Sequence, residues 1–398
     1  VLSALTPLLR SSSPHLFLGR FLGQASFLTL LIWLAWFCPA WAEVLMRVGV
    51  AVNRPSLILG SSTPARIVDP QGTVVAEIPA MTPVRAVLAG NQIRIGTVQG
   101  SRLFFQPVQA DGLVFIDRLW YRGLAELVPG ESGLLGINRV GLEDYVSSVI
   151  GSEMGHRFPT ESLRAQAVAT RSYALFQRQQ RLQAPYDLGD DQFWQVYKGV
   201  AAESNRTQAA ARDTLGQVLI YEGRIINAVF HSSSGGHTDN SEEVWIEALP
   251  YLRGVPDYDN QAPVFSWSRQ ITAADLGGLA SGIGQLTNIE VTRRSTFGRA
   301  LSVKLTGTQG SRTVSGSAFQ VALQLRSRLF SISPGRNLQA ANELVAQSPT
   351  FVIQGRGFGH GVGMSQWGAV ALARQNWNYA QILSHYYRGA TLAVITPQ

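Results

Sequence analysis

Three short stretches of this sequence carry residue types that acid–base or binding chemistry needs. The first runs from Glu143, Asp144 and Tyr145 to Gly151, Glu153 and Met154. The spacing sets Glu153 in a glycine-flanked break between two helices, beside Met154 and close to Phe158. A carboxyl held against apolar side chains in a cleft is harder to ionise, so its pKa rises. A general acid working near neutral pH needs that shift. The same position also suits a helix cap or a solvated loop carboxylate.

The second stretch is Phe230-His231-Ser232-Ser233-Ser234-Gly235-Gly236-His237-Thr238. It offers a small polar surface that a ligand can approach closely, or simply a hydrogen-bonded loop. His231, His237 and His360 form an alternative zinc-peptidase set, but no HExxH helix accompanies them and Cys38 is the sole cysteine. The third stretch runs from Gly355 to Ala369. No Gly-Lys-Ser/Thr follows its glycines, so it is not a phosphate loop. Gly363-Met364-Ser365-Gln366-Trp367 lacks the second glycine of a nucleophile elbow. Alternating glycines read as a strand against which another segment packs closely. His360 lies among them and is sterically open.

The elements that must position these stretches follow from periodicity. Residues 43–128 read as β-rich: apolar runs at Val44–Val52, Ala65–Val68, Thr73–Ile78, Gln92–Val98 and Leu113–Ile116 alternate with Gly/Pro turns. Leu134–Val140 reads as a strand and Leu142–Ile150 as a helix. A second helix capped by Thr160 is expected to run to about Gln180, with alanines suited to close packing. A helix at Asn205–Thr214 and a hairpin turning at Glu222-Gly223 come next. A β subdomain is expected at about 285–332, then a strand at Phe351–Gln354 and a closing helix at Tyr379–Tyr387. The order is not a regular βαβ alternation, so the expected fold class is α+β, one large β-rich domain with inserted helices. Residues 129–396 would form its core.

Hydrophobic residues make up 45% of the 398 and charged ones 15%, a globular composition. The net charge of +7 favours an anionic partner, yet the arginines are scattered and no basic tail exists, which argues against nucleic acid. Phe21–Ala42 carries no charge and ends in Pro39 and Ala40-Trp41-Ala42. That pattern reads as a secretory signal (residues 1–42) cut before Glu43. The same stretch is also long enough to remain as a membrane anchor.

Glu143-Asp144-Tyr145 through Glu153-Met154, then Pro159 and the run Leu163 to Ala174, Gln195-Val196-Tyr197, His231 to Thr238 and Gly357 to Ala369 occur in an order that resembles a known family. It is the family of stage II sporulation protein D and the amidase enhancer of vegetative autolysins. The resemblance implies action on peptidoglycan glycan strands, with a cell-wall amidase as a further possible partner. Sporulation members are lytic transglycosylases, and their catalytic glutamate falls on Glu153. Arg171, Gln195, Tyr197, His231, Ser234, His360, Ser365 and Gln366 are the substrate-binding candidates from those blocks, and the last two, His231, His360 and Ser234 are expected to share a cleft with Glu153. Some members bind zinc through Cys and His in the loop before Gln-Val-Tyr. Here residues 186–194 contain neither, so no metal and no cofactor is expected. Asp187, Asp190 and Asp191 stay open as a second carboxylate for simple hydrolysis. A wall-binding activator without catalysis is the alternative function.

Overall fold

A computed structural model describes residues 44–335 and 349–395. The expected signal or anchor, and most of the polar loop after Pro334, lie outside the described residues. The fold is α+β. A seven-stranded sheet sets Leu188–Gly189, Leu45–Arg54, Leu134–Gly141, Leu124–Pro129, Leu103–Pro107, Ala65–Val68 and Val74–Ile78 side by side in that order. A six-stranded sheet carries Leu119–Tyr121, Val114–Ile116, Ser56–Ser61, Val84–Ala89, Gln92–Ile95 and Val98–Gly100. Alternating burial explains several of these strands: Ala65 and Ile67 point inward while Arg66 points out. The run Gln92–Val98 is broken in two because Gly96 turns the chain at φ 58°.

Leu134–Gly141 feeds directly into helix α1, Leu142–Glu153. Leu142, Tyr145, Val146, Val149 and Ile150 form its buried stripe, three and four residues apart. The helix runs one turn further than the sequence reading placed it. Gly151 does not break it. A Cβ at 151 would stand 1.8 Å from the Ala202 carbonyl oxygen, so glycine lets the helix seat against the turn Gly199–Ala202. Glu153 is therefore the last residue of α1, not a residue of the break.

Helix α2, Thr160–Gln180, is buried all round from Ser162 to Leu175 except at Arg164. Its N-cap is Pro159, one residue before the expected Thr160. Helix α3, Asn205–Asp213, packs on both α1 and α2 and starts with a capping box from Ser204 to Thr207. Helices α4, Gln366–Arg374, and α5, Tyr379–Tyr386, also pack on α2.

One hydrophobic core runs from the two N-terminal sheets through these helices. A second core gathers side chains between Ile271 and Ile353. It lies around the meander Leu286–Arg294, Ala300–Gly307 and Gly310–Ser315 and the sheet of Ser266–Ile271, Phe351–Arg356 and Phe330–Pro334. Both cores belong to one compact unit. The chain between Gly357 and Gly363 is not a strand. Gly357, Gly359, Gly361 and Gly363 have φ of 77°, 111°, 82° and 70°, so every second residue turns the backbone into a conformation that side chains resist.

Candidate active site

The parallel pairing of Phe230–His231 with Met364–Ser365 sets His231 opposite Ser365 and joins the second and third stretches. Gln366, the first residue of α4, then faces the end of α1. Glu153 Oε1 accepts a hydrogen bond from the Val196 backbone N–H at 2.8 Å, and its Oε2 accepts one from Gln366 Nε2 at 3.3 Å. Three segments far apart in sequence thus meet at one carboxyl. Burial raises the Glu153 pKa above the usual carboxylate range, opposed by the Val196 and Gln366 hydrogen bonds and by Lys198.

A cleft of about 420 Å³ opens over Glu153. Among the described residues that line it, Glu153 is the sole carboxylate. His231 and His360 stand with ring centroids 5.1 Å apart. His231 Nδ1 faces the Val362 carbonyl at 3.1 Å, which fixes the proton on that nitrogen and leaves Nε2 an acceptor without a protein partner. His360 Nε2 faces the Phe230 carbonyl at 2.9 Å, and its Nδ1 accepts from the Val362 N–H at 3.1 Å. Burial pushes both imidazoles down, His360 to about 4, so both are neutral near pH 7.

Aromatic rings frame the opening. Phe193 is 82% exposed and Phe358 45%, while Trp194, Trp245 and Tyr173 complete the walls. The sequence reading missed these five as site residues. Their signal is large apolar side chains in otherwise polar or glycine-rich segments, as in Asp190-Asp191-Gln192-Phe193-Trp194 and Ser241-Glu242-Glu243-Val244-Trp245.

Other candidates are held elsewhere. Arg171 is fully buried, with its guanidinium paired to both Glu143 oxygens and donating to the Gln217 and Ala211 carbonyls. Tyr197 is packed between Tyr121 and Tyr145 and donates to Asn138 Oδ1 at 2.7 Å. Ser234 is fully buried and donates to Asp257 Oδ2, while Ser365 caps α4 through the Gly368 N–H. None of the four lines the cleft, because each satisfies an internal polar group instead. Gln195 reaches the cleft wall, but its amide is committed to the Tyr145 hydroxyl and the Thr170 carbonyl.

The open second carboxylates are placed as follows. Asp187 is paired to Arg47, Asp191 accepts from the Phe193 N–H, and Asp190 lines a separate pocket beside Arg54 and Tyr121. Burial raises Asp190 to about 6 there. His237 stacks on Phe297 at 3.8 Å and does not join the His231–His360 pair.

The stretches that meet at Glu153 carry a family signature. A model described as stage II sporulation protein matches residues 130–221, which include Glu153, Arg171 and Val196. Stage II sporulation protein D of Bacillus subtilis is 31% identical over 281 residues, covering 65% of this chain and 76% of that protein. The chain belongs to the stage II sporulation protein D family. An uncharacterized protein of Brachyspira hyodysenteriae is 29% identical over 299 residues, covering 72% of this chain and 77% of its own. The amidase enhancer of Bacillus subtilis is 31% identical over 291 residues, which cover 62% of this chain and 40% of that protein. Residues 240–363 match a second model, described as a domain of unknown function. Family membership thus covers α1 and α2 by name, and leaves the segment carrying His360 and Phe358 without an assigned role.

Proposed function

We propose that the cleft binds peptidoglycan glycan strands and that Glu153 cleaves them by a lytic transglycosylase reaction, in a protein exported to the cell wall or periplasm behind its N-terminal apolar stretch. The observation that carries this reading is a lone carboxyl, its pKa raised by burial, in an aromatic-framed cleft. Two-carboxylate glycoside hydrolysis requires a partner acid on the other side of the sugar. Transglycosylation does not, because the nucleophile comes from the substrate.

In the first step the protonated Glu153 gives its proton to the glycosidic oxygen as the bond from that oxygen to the anomeric carbon breaks, leaving an oxocarbenium-like sugar. In the second, the Glu153 carboxylate takes the proton of the same sugar's 6-hydroxyl, whose oxygen bonds to the anomeric carbon. Glu153 ends as it began and the product carries a 1,6-anhydro ring. The Val196 N–H and the Gln366 amide hold the carboxylate between the steps. The unpartnered His231 Nε2 offers a neutral acceptor for a sugar hydroxyl.

A second reading, a wall-binding activator of an amidase, is favoured by the likeness to the amidase enhancer. Incubating the protein with purified glycan strands and weighing the products separates the two. Fragments with 1,6-anhydro ends and no free reducing muramic acid are expected. Free reducing ends would point to hydrolysis. Uncleaved strands together with a stimulated amidase would establish the activator.

A further inference from the structure

The segment that matches the domain of unknown function places one buried charge against the glycine-rich turn Gly357–Gly363. Arg299 closes the turn between Leu286–Arg294 and Ala300–Gly307 and is 1% exposed. Its Nε stands 2.9 Å from Asp239 Oδ2 as an ion pair, and its Nη2 donates to the Ser234 carbonyl at 2.6 Å. The guanidinium lies directly on Gly361. A Cβ there would stand 2.1 Å from Arg299 Cζ, and φ is 82°, so glycine is needed twice over. Asp239 holds the same glycine through its backbone, whose N–H donates to the Gly361 carbonyl at 2.7 Å. Ser295 Oγ donates to Asp239 Oδ2 at 3.0 Å and accepts from the Arg299 N–H at 2.9 Å.

Stability alone does not account for this guanidinium. A buried ion pair is often no better than apolar packing of the same volume. Among the described residues, Arg299 Nη1 is buried without an acceptor and Asp239 Oδ1 without a donor. Groups left unanswered in this way point to a role beyond packing.

The residue after Gly361 shows what that role is. Val362 faces His231 Nδ1 with its carbonyl at 3.1 Å and donates its N–H to His360 Nδ1 at 3.1 Å. One residue thus sets the proton of His231 on Nδ1 and that of His360 on Nε2, which faces the Phe230 carbonyl. Both imidazoles line the Glu153 cleft, and Phe358 on the same turn forms part of its wall. We propose that Arg299 is a positioning residue, which pins Gly361 so that Val362 fixes the tautomers of both cleft imidazoles, and that this brace is what the segment of unknown function contributes to the cleft. Charge works in the same direction. Burial lowers both imidazoles, and Arg299 adds to the effect on each, as His360 does on His231 and Arg328 on His360. Burial lowers Arg299 itself to about 10, so it keeps its charge at neutral pH.

The test is long-range ¹⁵N–¹H correlation spectroscopy on the full protein labelled with ¹⁵N-histidine, with signals assigned through His231→Gln and His360→Gln. The parent should show His231 protonated on Nδ1 and His360 on Nε2, both neutral at pH 7. In Arg299→Met both should become tautomer mixtures and titrate at higher pH than in the parent. Arg299→Lys keeps the charge but has no planar fork to span Asp239 and the Ser234 carbonyl. It should blur the tautomers while leaving the titrations low, and it serves where Arg299→Met does not fold. Arg328→Gln removes charge without touching Gly361, so it should raise the His360 titration and spare both tautomers. Phe319→Leu, a change in the second core, should alter neither, which separates the brace from general loosening. Parent-like tautomers in either folded Arg299 variant would overturn the inference, as would blurred tautomers in Phe319→Leu. In glycan cleavage, Arg299→Lys should raise KM about threefold to tenfold, the scale of one displaced aromatic contact. A fall in kcat with KM unchanged would mark a lost folded fraction and overturn the brace. A parent protein that never cuts strands overturns the transglycosylase reading and leaves the imidazole signals to decide this one.

Discussion

Gln366 Nε2 lies 3.3 Å from Glu153 Oε2 across 213 residues of chain, and that amide is one of two donors that hold the carboxyl. The geometry follows from the cap of α4. Ser365 binds the Gly368 N–H, which fixes the first turn and aims residue 366 at the end of α1.

Gln366→Leu removes a donor that favours the ionised carboxyl, so the Glu153 pKa should rise further. The acid is lost as pH climbs through that pKa, so the alkaline limb of the cleavage profile should move to higher pH. The carboxylate is also less well held between the steps, and kcat/KM should fall about tenfold or more, the scale of one hydrogen bond to a charged group. Rates measured across a pH series check both effects.

Glu153→Gln should reduce cleavage by at least the roughly hundred- to ten-thousand-fold typical of a general acid. It should also stabilise the fold at neutral pH. Burial raises the folded pKa of Glu153 above that of the unfolded chain, so ionisation opposes folding. That penalty is absent below the unfolded pKa and grows as pH rises through the folded one. The melting-temperature gap between variant and parent should therefore be positive near pH 7 and close below about pH 4.

Phe193→Ala and Trp245→Ala should raise KM for glycan strands about threefold to tenfold each, the range of one lost aromatic contact. Phe193 is 82% exposed, so its removal should leave the denaturation midpoint unchanged. A shift in kcat alone would argue against a binding role.

Arg171→Ala should act on the fold rather than on KM. It leaves Glu143 without its buried partner, and breaking such a pair costs about 3–5 kcal/mol. Urea denaturation should show the loss, and any folded fraction should bind strands as the parent does.

Much of the site was legible in residue types, and less of it in their placement. Glu153, His231, His360 and Gln366 come from polar or glycine-rich segments, and the structure brings them to one cleft. Ser234, Ser365 and Arg171 looked equally suited to a ligand, but Asp257, the α4 N-terminus and Glu143 answer them from within. Such partners lie in other segments and leave no local trace. Gly151 looked like a helix breaker because the Ala202 carbonyl that requires it is supplied by tertiary packing. The glycines from Gly357 to Gly363 repeat every second residue, as a strand's inward positions do. The period is identical, but glycine accepts positive φ where a strand needs negative.

The strands at Ser56–Ser61, Val84–Ala89, Leu103–Pro107 and Leu124–Pro129 went unassigned. Leu124–Pro129 is buried without a break from Ala125 to Val128, which erases the alternation that marks a half-exposed strand. Val84–Ala89 has the opposite difficulty, with only Ala86 fully buried and Arg85 the single polar residue on its outer face to contrast with it.

Ending α1 at Glu153 has an electrostatic consequence. Unpaired carbonyls gather at the C-terminal end of a helix and give it a partial negative charge, and no basic residue in the last turn of α1 offsets it. A field of that sign keeps a proton on the carboxyl beside it. It also favours positive charge nearby, by about 0.3–1 kcal/mol. In the proposed reaction the sugar turns cationic just as the acid gives up its proton, so one helix end serves both halves of the step: it holds the proton beforehand and steadies the cation afterwards.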